Sequence, residues 1–159
     1  MSLTEDAEIL SKIPMFAKVD PAKLKLLAFT SERLEYPSGD ELFHQDDHGD
    51  AAYVILEGAA DILVDTPHRA VKIATLGKND IIGEIALLCE VPRTATVVAR
   101  GDLATLRVSK EGFFHLITEF PQVGVRVMSA LAAKLQRTTE ALTAAQAKLD
   151  QLEQPSRGD

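Results

Sequence analysis

Residues 81–99 read IIGEIALLCEVPRTATVVA, and they are the most informative stretch of the chain. The only charged residues in this stretch are Glu84, Glu90 and Arg93. Gly83 precedes a short apolar segment typical of one or two helical turns, and the start of a helix offers free backbone N–H groups to an anion. An arginine side chain grips a phosphate with two hydrogen bonds, whereas a glutamate accepts hydrogen bonds from sugar hydroxyls. The spacing therefore predicts a small pocket for a ligand that has both hydroxyls and a negative charge.

Two segments, Gly83–Leu88 and Pro92–Val97, together resemble the phosphate-binding cassette of cyclic nucleotide-binding domains. The family pattern is roughly F-G-E-[LI]-A-L-[LI]-x-x-x-P-R-[AST]-A-T-V, and Ile82 replaces the aromatic residue that is common at its first position. Two matching segments at the family's spacing are far more specific than a single glycine motif. Glycine-marked turns extend the resemblance to about residues 10–152.

The resemblance implies a role for each matching residue. Glu84 would bind the ribose 2′-hydroxyl, and Arg93 would bind the cyclic phosphate with help from the N–H groups of Ile85 and Ala86. Thr94 would add a hydroxyl near the phosphate or the base. The ligand implied is cAMP, with cGMP as the alternative, and no cofactor, metal ion or catalytic residue is expected. The full set of expected ligand-binding residues is Gly83, Glu84, Ile85, Ala86, Arg93, Thr94, Thr138 and Thr139.

The sequence leaves two alternatives to a nucleotide site, one for Glu84 and Arg93 and one for the histidines. Glu84 and Arg93 could form a structural ion pair, but buried pairs stabilise proteins weakly, and the glycine beside them favours a ligand site. His44 and His48 precede Glu57 on a β segment, which is weakly similar to the metal sites of cupins. The paired histidines of those sites are missing, so a cupin-like metalloenzyme is a remote alternative.

The composition predicts a globular domain with an appended element. The 159 residues suffice for one real core, and 46% hydrophobic with 26% charged residues is ordinary for a soluble protein. The net charge of −7 disfavours nucleic acid and anionic membranes as partners, so an anionic ligand must be recognised locally. No apolar run is long enough to cross a bilayer. The single cysteine, Cys89, is expected to be a core thiol in a reducing cytoplasm.

The pattern along the chain predicts an α+β fold. Its centre is an antiparallel β jelly roll, or double-stranded β-helix, flanked by N-terminal helices and a long C-terminal helix. Asp20 is expected to cap a helix that starts at Pro21, and turns are expected at 57–58 and 100–102 between short strands. The expected boundaries are an N-terminal helical segment over 1–30, the roll over 31–120, the C-terminal helix over 121–154 and a flexible tail over 155–159.

The C-terminal helix has the apolar spacing of a coiled coil. A helix of ~50 Å would project past a small barrel, so we expect a parallel homodimer. Residues 135–140 resemble the dimerisation helix of the catabolite activator protein family, which implies that Thr138 and Thr139 meet the adenine from the two subunits. The alternative for Thr138 is a hydroxyl bonded back to its own helix. The predicted seam consists of Met128, Leu131, Leu135, Thr138, Leu142, Ala145, Leu149 and Leu152.

The expected function is a non-catalytic, cytoplasmic sensor of cyclic nucleotide. Ligand binding would move a hinge near residues 118–125, close the C-terminal helix over the base and change the geometry of the dimer. Activator proteins continue into a helix-turn-helix that this sequence lacks, so direct DNA binding by this chain is not expected. Membrane insertion is not expected either, because the apolar runs are too short. The alternatives are the gating domain of a cyclic nucleotide-regulated channel and a ligand-free dimerisation module.

Overall fold

The computed structural model describes residues 2–153, so Gln154 and the predicted tail over 155–159 lie outside the described residues. Helices occur at both ends of the described chain, and a β region separates them. The helices are α1 Leu3–Ser11, α2 Pro21–Phe29, α3 Ile85–Leu88, α4 Lys110–Glu119 and α5 Pro121–Glu153, with a 3₁₀ turn at Pro14–Phe16. The strands are β1 Glu32–Tyr36, β2 Glu41–Phe43, β3 Ala51–Asp65, β4 Ala70–Leu76, β5 Ile81–Ile82 and β6 Thr96–Ser109.

The six strands form one antiparallel sheet that is built around its two longest members. Strands β1, β6, β3 and β4 lie side by side in that order, while β2 pairs with β6 and β5 pairs with β3. β3 and β6 pair over nearly their whole length, from Ala51 opposite Ser109 to Leu63 opposite Thr96. The predicted α+β class, an antiparallel roll between N-terminal helices and a long C-terminal helix, is confirmed.

The turns predicted at 57–58 and 100–102 are wrong, because β3 and β6 run through both positions. The register between the two strands shifts on either side of Glu57, which is the signature of a β-bulge. Gly58 has φ +92°, and a Cβ there would collide with the carbonyl oxygen of Asp102. A glycine is therefore required for the strands to bend, and the bend curls a single pair of long strands into a roll.

Alternate residues of β3 enter two separate cores, which explains its unbroken apolar run. Ala52, Val54 and Leu56 pack against the helices in the first core, whereas Tyr53 and Ile55 point into the roll and form the second core. A strand covered on both faces has no polar side, so periodicity alone does not distinguish it from a buried helix.

The N-terminal helices are fastened to the roll and to α5. The predicted cap is confirmed, because Asp20 Oδ1 accepts a hydrogen bond from the Ala22 N–H at 2.9 Å. Phe16 and Phe113 meet edge to face, with ring centroids 6.1 Å apart, in the centre of the first core. This packing fixes α4 against the helices that precede the roll.

Only the first part of α5 packs on the rest of the chain. Val123, Val127 and Ala130 are buried, and every residue from Lys134 to Glu153 is exposed. α5 is therefore a projecting helix that is anchored at its N-terminal end. No helix in the described part of the chain is long and apolar enough to cross a membrane.

Candidate functional site

The cassette residues and the open face of the roll enclose a cavity of about 550 Å³. Residues 81–86 and 91–95 form one side of it, and Phe43, Ile62 and Val97 contribute from the roll. A cavity of this size, mainly apolar with a few polar groups, is typical of a small-molecule site. The structure thus brings together Gly83, Glu84, Ile85, Ala86, Arg93 and Thr94, which were predicted from the sequence.

Arg93 is a buried cation in the lining of this cavity. Only 7% of its surface is exposed, and its Nη2 donates a 2.7 Å hydrogen bond to the carbonyl oxygen of Ala51. Its Nε and Nη1 have no hydrogen-bond partner, and no carboxylate within residues 2–153 makes an ion pair with it. Desolvation by burial lowers the pKa of Arg93, yet a guanidinium remains protonated at neutral pH. The site therefore holds a positive charge and unused N–H donors.

Two glycines leave room for this guanidinium. A Cβ on Gly49 would lie 2.7 Å from the Arg93 Nε, and a Cβ on Gly83 would collide with its Nη1. Gly83 also has φ +76°, a conformation that L side chains rarely adopt. Both the backbone conformation of Gly83 and the close approach of the Arg93 side chain therefore require a glycine at this position.

The backbone of Arg93 is held by the loop that follows β2. Its N–H donates to the Asp47 carbonyl and its carbonyl accepts from the Asp46 N–H, each at 2.8 Å. His48 and Pro92 form a β-bridge beside these bonds. The loop and the end of the cassette are thereby joined into one unit.

Glu84 and Arg93 do not pair with each other. The Glu84 carboxylate lies 3.6 Å from the Nζ of Lys134, which projects from α5. The structural ion pair considered from the sequence is thus absent from the described residues, and the cassette is linked to the C-terminal helix instead.

The two backbone N–H groups predicted to bind the phosphate at the start of α3 differ in whether they already have a hydrogen-bond partner. The Ala86 N–H already donates to the Gly83 carbonyl at 3.0 Å, whereas the Ile85 N–H has no partner within residues 2–153. α3 is a single turn, because its four residues end at Leu88. Thr94 is exposed at the cavity.

Thr138 and Thr139 lie outside the cavity formed by this single chain. Both are exposed on α5, and the Thr138 hydroxyl donates to the Lys134 carbonyl at 2.9 Å. This is the back-bonded arrangement that was the alternative for Thr138. A role for either residue in ligand binding requires a second subunit or a different position of α5.

Two other sequence expectations concern cysteine and histidine. Cys89 is exposed, so its prediction as a core thiol is wrong; α3 ends at Leu88 and turns the next side chain outward. His44 hydrogen-bonds to Glu41 at 3.1 Å, and this bond raises the pKa of His44. Among residues 2–153, no three His, Cys, Asp or Glu side chains are grouped closely enough to hold a metal ion.

Three residues beside the site were not singled out from the sequence. The Phe43 ring lies under the Arg93 guanidinium, Gly49 flanks it, and Lys134 contacts Glu84. The -H-G-D- turn at 48–50 contains a glycine signal, but nothing in the sequence indicates which side chain that glycine accommodates.

Comparison with known proteins supports the same family as the cassette motif. Residues 33–120, more than half of the chain, match the sequence profile of the cyclic nucleotide-binding domain. Over 108 residues the chain is 30% identical to the cAMP-dependent protein kinase regulatory subunit of Aspergillus niger. The match covers 68% of this chain and 26% of that protein, so the chain spans about a quarter of the length of this curated relative.

Solved structures of transcriptional regulators share the fold. The N-terminal domain of a transcriptional regulator from Streptomyces coelicolor A3(2) has a TM-score of 0.78 and 30% identity, over 84% of this chain and 94% of that one. The catabolite activator protein of Thermus thermophilus has a TM-score of 0.69 and 31% identity, over 87% of this chain and 62% of that one. The matched profile and the shared fold show that the chain belongs to the cyclic nucleotide-binding domain family, a family of non-catalytic regulatory modules.

Proposed function

We propose that this chain is a cAMP sensor that transmits ligand binding through α5 to a homodimer. The observation that carries the proposal is Arg93, a buried cation with two unused nitrogens at a cavity of nucleotide size. A buried charge without an ion pair is costly in a folded protein, so its persistence favours a role in binding an anion. The cyclic phosphate supplies one negative charge and acceptor oxygens.

The remaining cavity residues suit the other parts of the nucleotide. Glu84 is an acceptor of hydroxyl hydrogen bonds and is assigned to the ribose, while the unpaired N–H of Ile85 is assigned to the phosphate together with Arg93. Thr94 offers a hydroxyl at the mouth of the cavity. Ala86 retains a packing role, since its N–H is occupied by Gly83. The name of the protein-kinase relative favours cAMP over cGMP.

The contact between Lys134 and Glu84 supports the coupling step. A ribose hydroxyl that binds Glu84 competes with Lys134 for the same carboxylate, so ligand binding alters the position of α5 relative to the cassette. The two helices α4 and α5 are separated by Phe120 alone, and this junction is the proposed hinge. A ligand shifts such an equilibrium only by its differential affinity for the two positions.

The exposed seam of α5 supports the homodimer. Met128 is 64% exposed and Leu142 is 67% exposed, and Leu135, Leu149 and Leu152 are exposed on the same stripe. A second copy of the chain would cover these side chains in a parallel coiled coil, which would also bring Thr138 and Thr139 of each subunit towards the partner's ligand. The exposed thiol of Cys89 is compatible with a reducing cytoplasm, and the net charge of −7 makes direct contact of this chain with DNA unfavourable.

The test is calorimetric titration of nucleotide-free protein with cAMP and with cGMP at two temperatures. We expect cAMP to bind with a micromolar or lower Kd. Arg93→Ala should weaken binding at least a hundredfold, because each lost charge-assisted hydrogen bond costs ~1.5–3 kcal/mol and ~1.4 kcal/mol is a factor of ten.

Arg100→Ala is the matched control. Arg100 lies in β6 outside the cavity and makes a long, exposed contact of 3.8 Å with Asp61, so its loss should leave the Kd unchanged. If neither nucleotide produced heat, the sensor proposal would be wrong and the ligand-free dimerisation module would be the better interpretation. Wild-type affinity in Arg93→Ala would show that the phosphate is bound elsewhere.

A further inference from the structure

The face of the Arg93 guanidinium rests on an aromatic ring. Its Cζ lies 3.9 Å from the centroid of the Phe43 ring and 5.9 Å from that of Tyr53. The two rings are themselves in contact, with centroids 5.8 Å apart. Phe43 ends β2 opposite Val97 of β6, so the ring is fixed by the sheet and also borders the cavity.

This support differs from an ion pair in its effect on the donors of Arg93. A carboxylate would neutralise the charge and occupy the N–H groups that an anionic ligand needs. An aromatic face attracts the cation through its quadrupole and uses none of its N–H groups. With the ring on one face, Gly49 beside Nε and the Ala51 carbonyl on Nη2, the guanidinium is held while Nε and Nη1 stay free.

We propose that Phe43 is a positioning residue for anion binding, whose ring holds the Arg93 guanidinium in its binding orientation without neutralising it. The effect on ligand affinity rests on the proposed function, but the contact between ring and guanidinium does not. A preorganised cation binds an anion more tightly because less side-chain freedom is lost on binding.

The first experiment measures cAMP affinity in three variants. Phe43→Leu keeps an apolar side chain and removes the aromatic face, and we expect its Kd to rise about tenfold, the range of a desolvated cation–π contact. Phe43→Tyr restores an aromatic face and should return the Kd to within about twofold of wild type. Leu42→Ala is the packing control, because Leu42 packs on the same core and is not among the residues that line the cavity.

The second experiment is a double-mutant cycle on thermal unfolding without ligand. Phe43→Leu should lower Tm more in the wild-type background than in Arg93→Ala. In Arg93→Ala the cationic partner is already absent, so removal of the ring breaks no cation–π contact. This cycle tests the contact even if wild type binds no cyclic nucleotide, an outcome that would overturn the proposed function alone.

Four results would overturn the inference, and the first three concern Phe43→Leu and its control. They are strictly additive Tm shifts in the cycle, an unchanged Kd in Phe43→Leu, and a loss of affinity in Leu42→Ala equal to that in Phe43→Leu. Failure of Phe43→Tyr to restore affinity, with Tm at the wild-type value, would likewise assign the effect to cavity shape and not to the aromatic face.

Discussion

Arg93 is surrounded by groups that hold its side chain but leave its charge unpaired and two of its nitrogens without a hydrogen-bond partner. A carbonyl takes one nitrogen, a ring covers one face, and the surroundings of the other nitrogens include glycines and no carboxylate in ion-pair contact within residues 2–153. Burial of an unpaired cation destabilises the unliganded protein. Binding of an anion pairs the charge, so the same arrangement favours affinity for the ligand. Substitutions near Arg93 should therefore separate affinity from stability.

Gly49→Ala tests this separation. The added Cβ would lie 2.7 Å from Nε, and Gly83 lies close to Nη1 of the same guanidinium. We expect the guanidinium to be displaced and the Kd for cAMP to rise at least about tenfold, as when one charge-assisted hydrogen bond is lost. Calorimetric titration gives the Kd, and thermal unfolding gives the stability of the unliganded protein.

Gly77→Ala is the matched control for that experiment. Its Cβ would have its nearest neighbour at 4.0 Å, and both substitutions restrict the unfolded chain equally. Gly77→Ala should leave the Kd unchanged, and Tm should differ little between the two variants. A wild-type Kd in Gly49→Ala would mean that the Arg93 guanidinium can move away from the added Cβ and still bind the ligand.

The sequence identified the side chains expected to bind the ligand and missed the residues that hold Arg93 in place. Glu84 and Arg93 were recognisable because they lie nine positions apart in one local motif. Phe43 is 50 positions before Arg93 in the sequence, and a lone phenylalanine in a strand predicts only a core side chain. Contacts of this kind arise when the sheet closes, so no local pattern encodes them.

At the scale of elements, the strand boundaries were the least predictable feature. The sequence predicted turns at Gly58 and Gly101 because each glycine follows a charged residue. Both glycines have positive φ in the structure. In a short strand this conformation would end the pairing, but here each strand has another long strand beside it that resumes pairing after the bulge. Tertiary pairing overrode the local signal, whereas the cap at Asp20, which depends only on neighbouring residues, was predicted correctly.

The contact between α5 and the cassette leads to a prediction for Lys134→Ala. This variant should free the unliganded α5 from Glu84, so hydrogen exchange near residue 134 should accelerate. The ammonium of Lys134 is half exposed, so the pair is worth ~0.2–1 kcal/mol and the acceleration should not exceed about fivefold. Added cAMP should then change exchange in α5 less than it does in wild type.

Lys148→Ala is the control, because Lys148 is exposed on the same helix and makes no ion pair with residues 2–153. Its exchange profile should match wild type in both states. If Lys134→Ala also matched wild type with and without cAMP, the ion pair would play no part in coupling, and the signal would have to pass through the junction at Phe120.

At the scale of the whole molecule, the distal part of α5 leaves its apolar stripe uncovered. The 33 residues of α5 span ~50 Å, and every residue from Leu135 to Glu153 is exposed. In proteins most helical stability comes from the packing of an apolar face, so we expect the distal part of α5 to pack on a partner surface. The apolar stripe along it matches the seam of a second, identical helix.

Leu142→Lys should dissociate the proposed dimer. Leu142 lies in the middle of the seam at 67% exposure, and in a parallel dimer two lysines would meet there and lose their hydration. Each leucine removed also forfeits ~1.5–3 kcal/mol of burial. We expect sedimentation to change from dimer to monomer and circular dichroism to show a loss of helix, because the distal part of α5 unfolds when it loses its partner.

Ala147→Lys introduces the same charge on the opposite face of the helix and should leave the dimer intact, since residue 147 lies outside the seam. The pair of variants also tests Thr138 and Thr139. If the partner's threonines contact the base, cAMP affinity should fall in the Leu142→Lys monomer and stay unchanged in Ala147→Lys. A wild-type protein that sediments as a monomer would leave α5 free to fold back on its own cassette, and a monomer with full affinity would remove both threonines from the site.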